Sequence, residues 1–247
     1  MSNMETNMKS FIAISDIISL LNMCSGFLAI ISSINKNLEL AAILMIIAII
    51  FDSIDGWVAR KTNRQDDLGF GKNIDSLSDA ISFGVAPAIF LYSCINTTPG
   101  INQVIVILVS LMIVICGVLR LTRYNVIADK IDTKDFIGFP IPGISFILAT
   151  FYLTGLFNPY VALILSIVVS LLMVCNIQYP KFDNIPLIAI SAVLILILIL
   201  QIKLVLFNVN IAAMLLLVFC LYYLIINLIK RWDTLLLLIK LTIINTI

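Results

Sequence analysis

The sequence predicts an all-α, polytopic membrane bundle of about eight transmembrane helices with both termini cytoplasmic. Three observations carry that expectation: composition, the lengths of the apolar runs, and the placement of the basic residues. Hydrophobic residues make up 62% of the 247 positions and charged residues 12%, a balance that a water-soluble core cannot absorb. A hydrocarbon layer about 30 Å thick takes roughly 20 apolar residues per helix. On that ruler the candidate spans are 11–34, 38–60, 72–95, 102–124, 140–157, 160–177, 185–206 and 210–229. With a cytoplasmic N-terminus, every Lys and Arg except Lys36 and Lys203 falls on the cytoplasmic side, which fits the positive-inside rule and an even number of helices.

The breaks between spans follow the chain's punctuation. They fall at Asn35–Asn37, Lys61–Gly71, Thr97–Gly100 with Pro99 inside, Asp129–Asp135, Asn158–Pro159, Pro180–Lys181 and Asn208, all rich in turn-forming or charged residues. The fifth and sixth spans are short and share a tight turn. The first apolar run follows a short polar leader, is long enough to span and shows no small-residue cleavage site, so it reads as a retained helix rather than a signal peptide. Residues 230–247 carry Trp232 and a Leu/Ile run broken by Lys240. They read as a cytoplasmic or interfacial tail rather than a ninth span. Residues 1–229 then form a single membrane domain.

Composition also excludes functions. A formal charge of +1 gives no basis for nucleic-acid binding. The five cysteines, Cys24, Cys94, Cys116, Cys175 and Cys220, are odd in number and widely spaced, so they form neither a disulfide framework nor a metal-ligand spacing. There is no histidine. That removes Ser-His and Cys-His catalysis and imidazole-based zinc sites, leaving carboxylate, Lys, Tyr and water for proton transfer.

Carboxylates at membrane depth cost about 2.5–3.5 kcal/mol each on insertion scales, so four of them near one another need a partner. Asp52 and Asp55 close the second span; Asp75 and Asp79 open the third. At about 100° per residue, each pair occupies one helix face, and the short connection makes the two helices antiparallel neighbours. Four carboxylates in one site repel unless a cation sits among them, and oxygen-only ligands favour Mg²⁺, Mn²⁺ or Ca²⁺. Such a site suits a phosphate-bearing substrate. Gly56 shares the face of Asp52 and Gly71 that of Asp75, leaving room for a ligand to approach the backbone. Two other readings compete: ion pairing of the aspartates with Arg60, Lys61, Arg64 and Lys72 at the headgroup boundary, and a cation transporter, whose carboxylates belong at the bilayer midplane on broken helices. A non-catalytic scaffold is a third class.

The stretch Asp52-Ser-Ile-Asp55-Gly56-Trp-Val-Ala59-Arg60, followed by Gly71-Lys-Asn-Ile-Asp75-Ser-Leu-Ser-Asp79, resembles the signature of the CDP-alcohol phosphatidyltransferases. Ten residues separate Arg60 from Gly71, more than that family's commonest spacing. Gly69 offers a second register, but only Gly71 places Asp75 and Asp79 correctly, so the difference reads as a loop insertion. Phe70–Ala88, with Ser82-Phe-Gly-Val-Ala-Pro-Ala88, resembles the phosphatidylserine synthase or archaetidylserine synthase branch. So do Leu119-Arg120-Leu-Thr-Arg123-Tyr-Asn125 and Phe136-Ile-Gly-Phe-Pro-Ile-Pro142. The similarity covers about the first 150 residues, with a catalytic core of about 11–157.

This resemblance implies a metal-dependent transfer in which the hydroxyl of L-serine attacks the β-phosphorus of a CDP-diacylglycerol or CDP-archaeol type lipid and CMP leaves. Asp52, Asp55 and Asp75 would be ligands of Mn²⁺ or Mg²⁺, with two ions. Asp79 would be a further ligand or the catalytic base. Gly56, Ala59, Arg60 and Gly71 would lie against the CDP portion. Inositol phosphate or glycerol phosphate is the alternative acceptor. Arg120 and Arg123, near the cytoplasmic end of the fourth span, are candidates for the serine carboxylate or a lipid phosphate; a topogenic or headgroup-binding role is the other reading. Ser76, Ser78 and Ser82 are candidate substrate contacts or, equally, helix-packing hydroxyls. Asn22 and Asp16, polar within the first span, are candidates to line the same cavity. The resemblance further implies a homodimer in the cell membrane with its active site facing the cytoplasm.

Overall fold

A break in the first apolar run sets the start of the architecture. In the computed structural model, which describes residues 8–62, 68–127, 136–180, 185–202 and 204–226, α1 (Met8–Phe11) is separated from α2 (Ile14–Ile34). Ala13 is extended (φ −105°, ψ 170°). Its N–H donates to Asp16 Oδ2 at 2.9 Å, so the carboxylate in the first turn satisfies a donor at the helix entrance. The expected span 11–34 therefore begins three residues late.

α2 and α3 (Leu38–Lys61) form an antiparallel hairpin. Lys36 takes up a left-handed conformation in the turn (φ 62°), and Asn37 Oδ1 accepts from Leu40 N. The buried face of α2 is small and polar, with Ser15, Asp16, Ser19, Asn22, Ser25 and Gly26 on it. α3 answers with Ala41, Ala42, Met45, Ile46 and Ala48. Small side chains let the backbones approach, the packing that apolar solvent favours because it offers no hydrophobic drive between helices.

A continuous rod, Phe70–Ile95, follows. It comprises α4 (Phe70–Asp79), a π-helical turn (Ala80–Val85) and α5 (Ala86–Ile95). Pro87 causes the wide turn, since it has no N–H and its ring crowds the carbonyl four residues back. The Ala86 N–H donates to Ile81 O. The Ser82 carbonyl, whose partner in this register would be the proline nitrogen, instead accepts from Ser145 Oγ at 3.3 Å. Gly26 lies against the turn so closely that a Cβ there would sit 2.5 Å from Ser82 Cα.

The rest of the bundle is α6 (Gln103–Ile127), α7 (Pro142–Leu153), α8 (Pro159–Val174) and α9 (Ile185–Ile199), followed by α10 (Ile211–Ile226). α8 starts on a built cap, Asn158 Oδ1 accepting from Tyr160 N and Val161 N with Pro159 in the first turn. The core is continuous across α3, α5, α7 and α8, with Phe83, Phe90, Ile144, Ile147 and Met173 wholly buried in it.

Several element boundaries differ from those expected. Among the described residues, three helices, Ile14–Ile34, Phe70–Ile95 and Gln103–Ile127, are long and apolar enough to cross a membrane by length and composition, and Pro142–Leu153, Pro159–Val174, Pro186–Ile199 and Ile211–Ile226 are shorter apolar helices. The predicted span 140–157 contracts to Pro142–Leu153 because Gly155 turns left-handed (φ 81°). The predicted span 185–206 stops at Ile199, before Gln201 at φ 52°. Beyond it, β3 (Val205–Leu206) pairs antiparallel with β4 (Val209–Asn210) around Phe207 and Asn208, both at positive φ, the backbone of a primed hairpin turn. A second pair, β1 (Phe136–Ile137) with β2 (Gln178–Tyr179), ties the segment before α7 to the segment after α8. Among the described residues the fold is thus helical with two small β ladders. The tail 230–247 and the loop cations Arg64, Lys130, Lys134 and Lys181 lie outside the described residues.

Candidate active site

Asp52 and Asp55 stand near the C-terminal end of α3 and Asp75 on α4. One carboxylate oxygen from each lies within 4.8 Å of the other two. Asp55 is 5% exposed, and its Oδ2 accepts from Ser19 Oγ at 2.6 Å. A buried Asp75 Oδ1 has no partner. Asp79, one turn along from Asp75 and 6% exposed, stands beside this trio. Its Oδ1 accepts from Asn22 Nδ2 at 3.0 Å, and it lies near enough to Asp52 for the two carboxyls to act on one another. The four predicted aspartates are therefore brought together, three in a mutual cluster and one held alongside by α2.

Positive charge reaches the cluster from α6. Arg120 is 7% exposed and its field acts on Asp52, Asp75 and Asp79. Its Cζ stands 5.6 Å from the Tyr124 ring and 5.9 Å from the Phe136 ring, and its buried Nε has no partner. Among the described residues, Arg120 is the buried cation at this cluster, and the carboxylates around it outnumber it. The orphaned Asp75 oxygen and the all-oxygen donor set fit a hard divalent cation held by Asp52, Asp55 and Asp75.

The remaining predicted residues divide. Arg60 is exposed but folds back over Gly56, its Nη1 lying 3.4 Å from where a Cβ of that glycine would be. Ala59 lies one turn from Asp55 on α3, and Gly71 is buried in the first turn of α4. Ser76 Oγ accepts from Asn125 Nδ2 at 2.8 Å, and the Asn125 carbonyl accepts from Lys72 Nζ at 2.7 Å, which straps α4 to α6. Ser82 Oγ donates to the Asn22 carbonyl at 3.0 Å. Ser78 Oγ is buried without a partner. Arg123 is turned away: both of its terminal nitrogens are spent on backbone carbonyls of Ile137, Met173, Val174 and Cys175.

Asp16, 1% exposed, serves the entrance of α2 and also lies near enough for its charge to act on Asp55 and Asp75. Ser19 was not anticipated. Its signal was the three-residue spacing Asp16, Ser19, Asn22, which puts one polar group per turn on a single face.

A cavity of about 710 Å³ opens from Asp52 and Ser53. Its walls are apolar: Ile49 and Ile50 of α3, Phe146 of α7, Ile188 and Ile195 of α9, Phe219 of α10.

Residues 12–175 match the family model described as CDP-alcohol phosphatidyltransferase. The chain belongs to the CDP-alcohol phosphatidyltransferase family. Among curated members of this family, the archaetidylserine synthase of Methanothermobacter thermautotrophicus is 51% identical over 175 residues, 71% of this chain and 72% of that protein. The CDP-diacylglycerol--serine O-phosphatidyltransferase of Methanocaldococcus jannaschii is 39% identical over 188 residues, 76% and 83% of the two chains. That of Bacillus subtilis is 37% identical over 164 residues, 66% and 87%. The matched region, from α2 through α8, contains Asp52, Asp55, Asp75 and Asp79.

Proposed function

We propose that this chain is a serine phosphatidyltransferase. It transfers a phosphatidyl or archaetidyl group from a CDP-linked lipid to the hydroxyl of L-serine and releases CMP. The observation that carries the reading is the meeting of three carboxylates from two helices within 4.8 Å, with a fourth held beside them by Asn22. The activities for which the archaeal and bacterial relatives are named supply the acceptor.

In this reading the serine oxygen forms a bond to the β-phosphorus, the bond from that phosphorus to the bridging oxygen breaks, and CMP departs with the electron pair. Asp79 takes the serine proton, its other contacts orienting the carboxylate. Asp52, Asp55 and Asp75, with Asp79 adjacent, would hold Mn²⁺ or Mg²⁺ as two ions, which would supply charge neutralisation for the pyrophosphate. Gly56, Ala59 and Gly71 leave the surface open for the CMP portion, and Arg60, folded over Gly56, pairs with its phosphate. Arg120 receives the serine carboxylate or a phosphate oxygen, and Ser78, buried with its hydroxyl unpartnered, is a further substrate contact. The apolar cavity leading from Asp52 houses a lipid chain.

Residues 1–229 form one membrane domain of about eight helices with a catalytic core of about 11–157, both termini and the aspartates at the cytoplasmic face of the cell membrane, in a homodimer. Support for the orientation is the charge asymmetry of the loops. The test is CMP release by purified protein given Mn²⁺ or Mg²⁺, ester- or ether-linked CDP-lipid, and a panel of acceptors. Release with serine is expected. Release with inositol phosphate or glycerol phosphate and none with serine would sink the assignment, and the two lipid types separate a phosphatidyl from an archaetidyl donor.

A further inference from the structure

We propose that Arg123 is a positioning residue that acts on the reaction through Arg120. This rests on the reading of Arg120 as the anion-binding residue of the transfer.

Arg123 Nη1 donates to Val174 O at 2.9 Å and Cys175 O at 3.1 Å, and Nη2 donates to Ile137 O at 2.8 Å and Met173 O at 2.9 Å. The carbonyls come from two segments, the C-terminal end of α8 and the strand before α7. Helix C-termini leave carbonyls without intrahelical donors, and one planar guanidinium satisfies several of them while joining α8 to β1. The fit depends on Gly138, at φ 82°, where a Cβ would stand 2.2 Å from Met173 O and 2.4 Å from Arg123 Nη2. A side chain at that position would open the latch.

The latch fixes β1, and β1 carries Phe136. That ring faces the Arg120 guanidinium at 5.9 Å. Tyr124, adjacent to Arg123 in the chain, faces it at 5.6 Å, and the Tyr124 and Phe136 centroids are 6.5 Å apart. Arg120 therefore lies among two rings, with its Nε unpartnered, so ring placement contributes to its direction. Moving β1 removes one ring and lets the guanidinium turn away from Asp52 and Asp79.

The test is a double-mutant cycle on the full chain, measuring kcat and KM for serine by CMP release, with thermal unfolding as a check that each variant is folded. Arg123→Lys, which cannot span four carbonyls, is expected to lower kcat/KM by roughly tenfold to a hundredfold, the scale of a small misplacement at a reacting centre. The same change in an Arg120→Ala background is expected to cost nothing further. Phe136→Leu, with the latch intact, is expected to reproduce the loss, and Phe136→Tyr to restore most of it. Losses that multiply in the double variants would overturn the inference alone. Full activity of Arg120→Ala would overturn the Arg120 reading and this inference with it. Should Arg123→Lys fail to fold, Phe136→Leu alone and combined with Arg120→Ala decides the matter by the same criterion.

Discussion

Asn22 and Asp79 are 57 positions apart in the chain and joined by a 3.0 Å hydrogen bond between Asn22 Nδ2 and Asp79 Oδ1. The Asn22 backbone is itself held by Ser82 Oγ at 3.0 Å. Asp79 is thus oriented by a side chain whose own position is fixed from the turn that follows Asp79. Asp79→Asn keeps the shape but cannot accept a proton, and kcat is expected to fall by about 10²–10⁴. Asn22→Ala leaves the carboxylate in place but unoriented and is expected to cost less. Single-turnover CMP release separates the two; equal losses would mean that Asn22 does more than orient.

The Asp52, Asp55 and Asp75 trio should be read through metal titration. Asn at any one of these positions is expected to raise the Mn²⁺ or Mg²⁺ concentration needed for half-maximal CMP release by at least tenfold. Chelation should abolish activity in the parent chain, and added divalent ion should restore it. An unchanged metal requirement in all three variants would remove them as ligands.

Gly26 offers a stability test with an internal control. A methyl group there meets Ser82 Cα at 2.5 Å, whereas a methyl at Gly84 meets nothing within 4 Å. Overpacking a close contact costs about 1–3 kcal/mol, so Gly26→Ala is expected to lower the thermal midpoint clearly and Gly84→Ala far less. Because Asn22 is one turn from Gly26, kcat should fall with the first substitution as well.

Filling the cavity should discriminate by lipid length. Ala192 lines it from α9, so Ala192→Phe is expected to raise KM for long-chain CDP-lipid several-fold while leaving a short-chain analogue nearly unaffected. Equal effects on both would place the chain elsewhere.

The aspartate cluster was legible in the sequence because helix periodicity is local: Asp52 with Asp55, and Asp75 with Asp79, share faces whatever packs around them. The membrane-type helices were legible for the same reason of local composition. What escaped was long-range. Arg120 and Arg123 sit one turn apart with similar sequence surroundings, yet one faces the carboxylates and the other caps α8. Only the return of β1 beside the end of that helix decides between them. The hairpin Val205–Asn210 was legible only at its turn, where Asn208 marked a break; Val205 and Leu206 are as apolar as helix residues, so hydropathy carried the expected span 185–206 past Ile199 into the first strand.

The π turn at Ala80–Val85 has a consequence for phase. Each helical residue advances about 100°, and a turn with one residue more than usual offsets everything after it by about that angle. Asp75 and Asp79 belong to one phase of the rod, and Phe90, Leu91 and Ile95, wholly or almost wholly buried, to the other. Deleting one residue within the turn would bring the two halves back into step. The buried apolar side chains would then hold their seats only if the carboxylates swung off the face they share with Asp52 and Asp55.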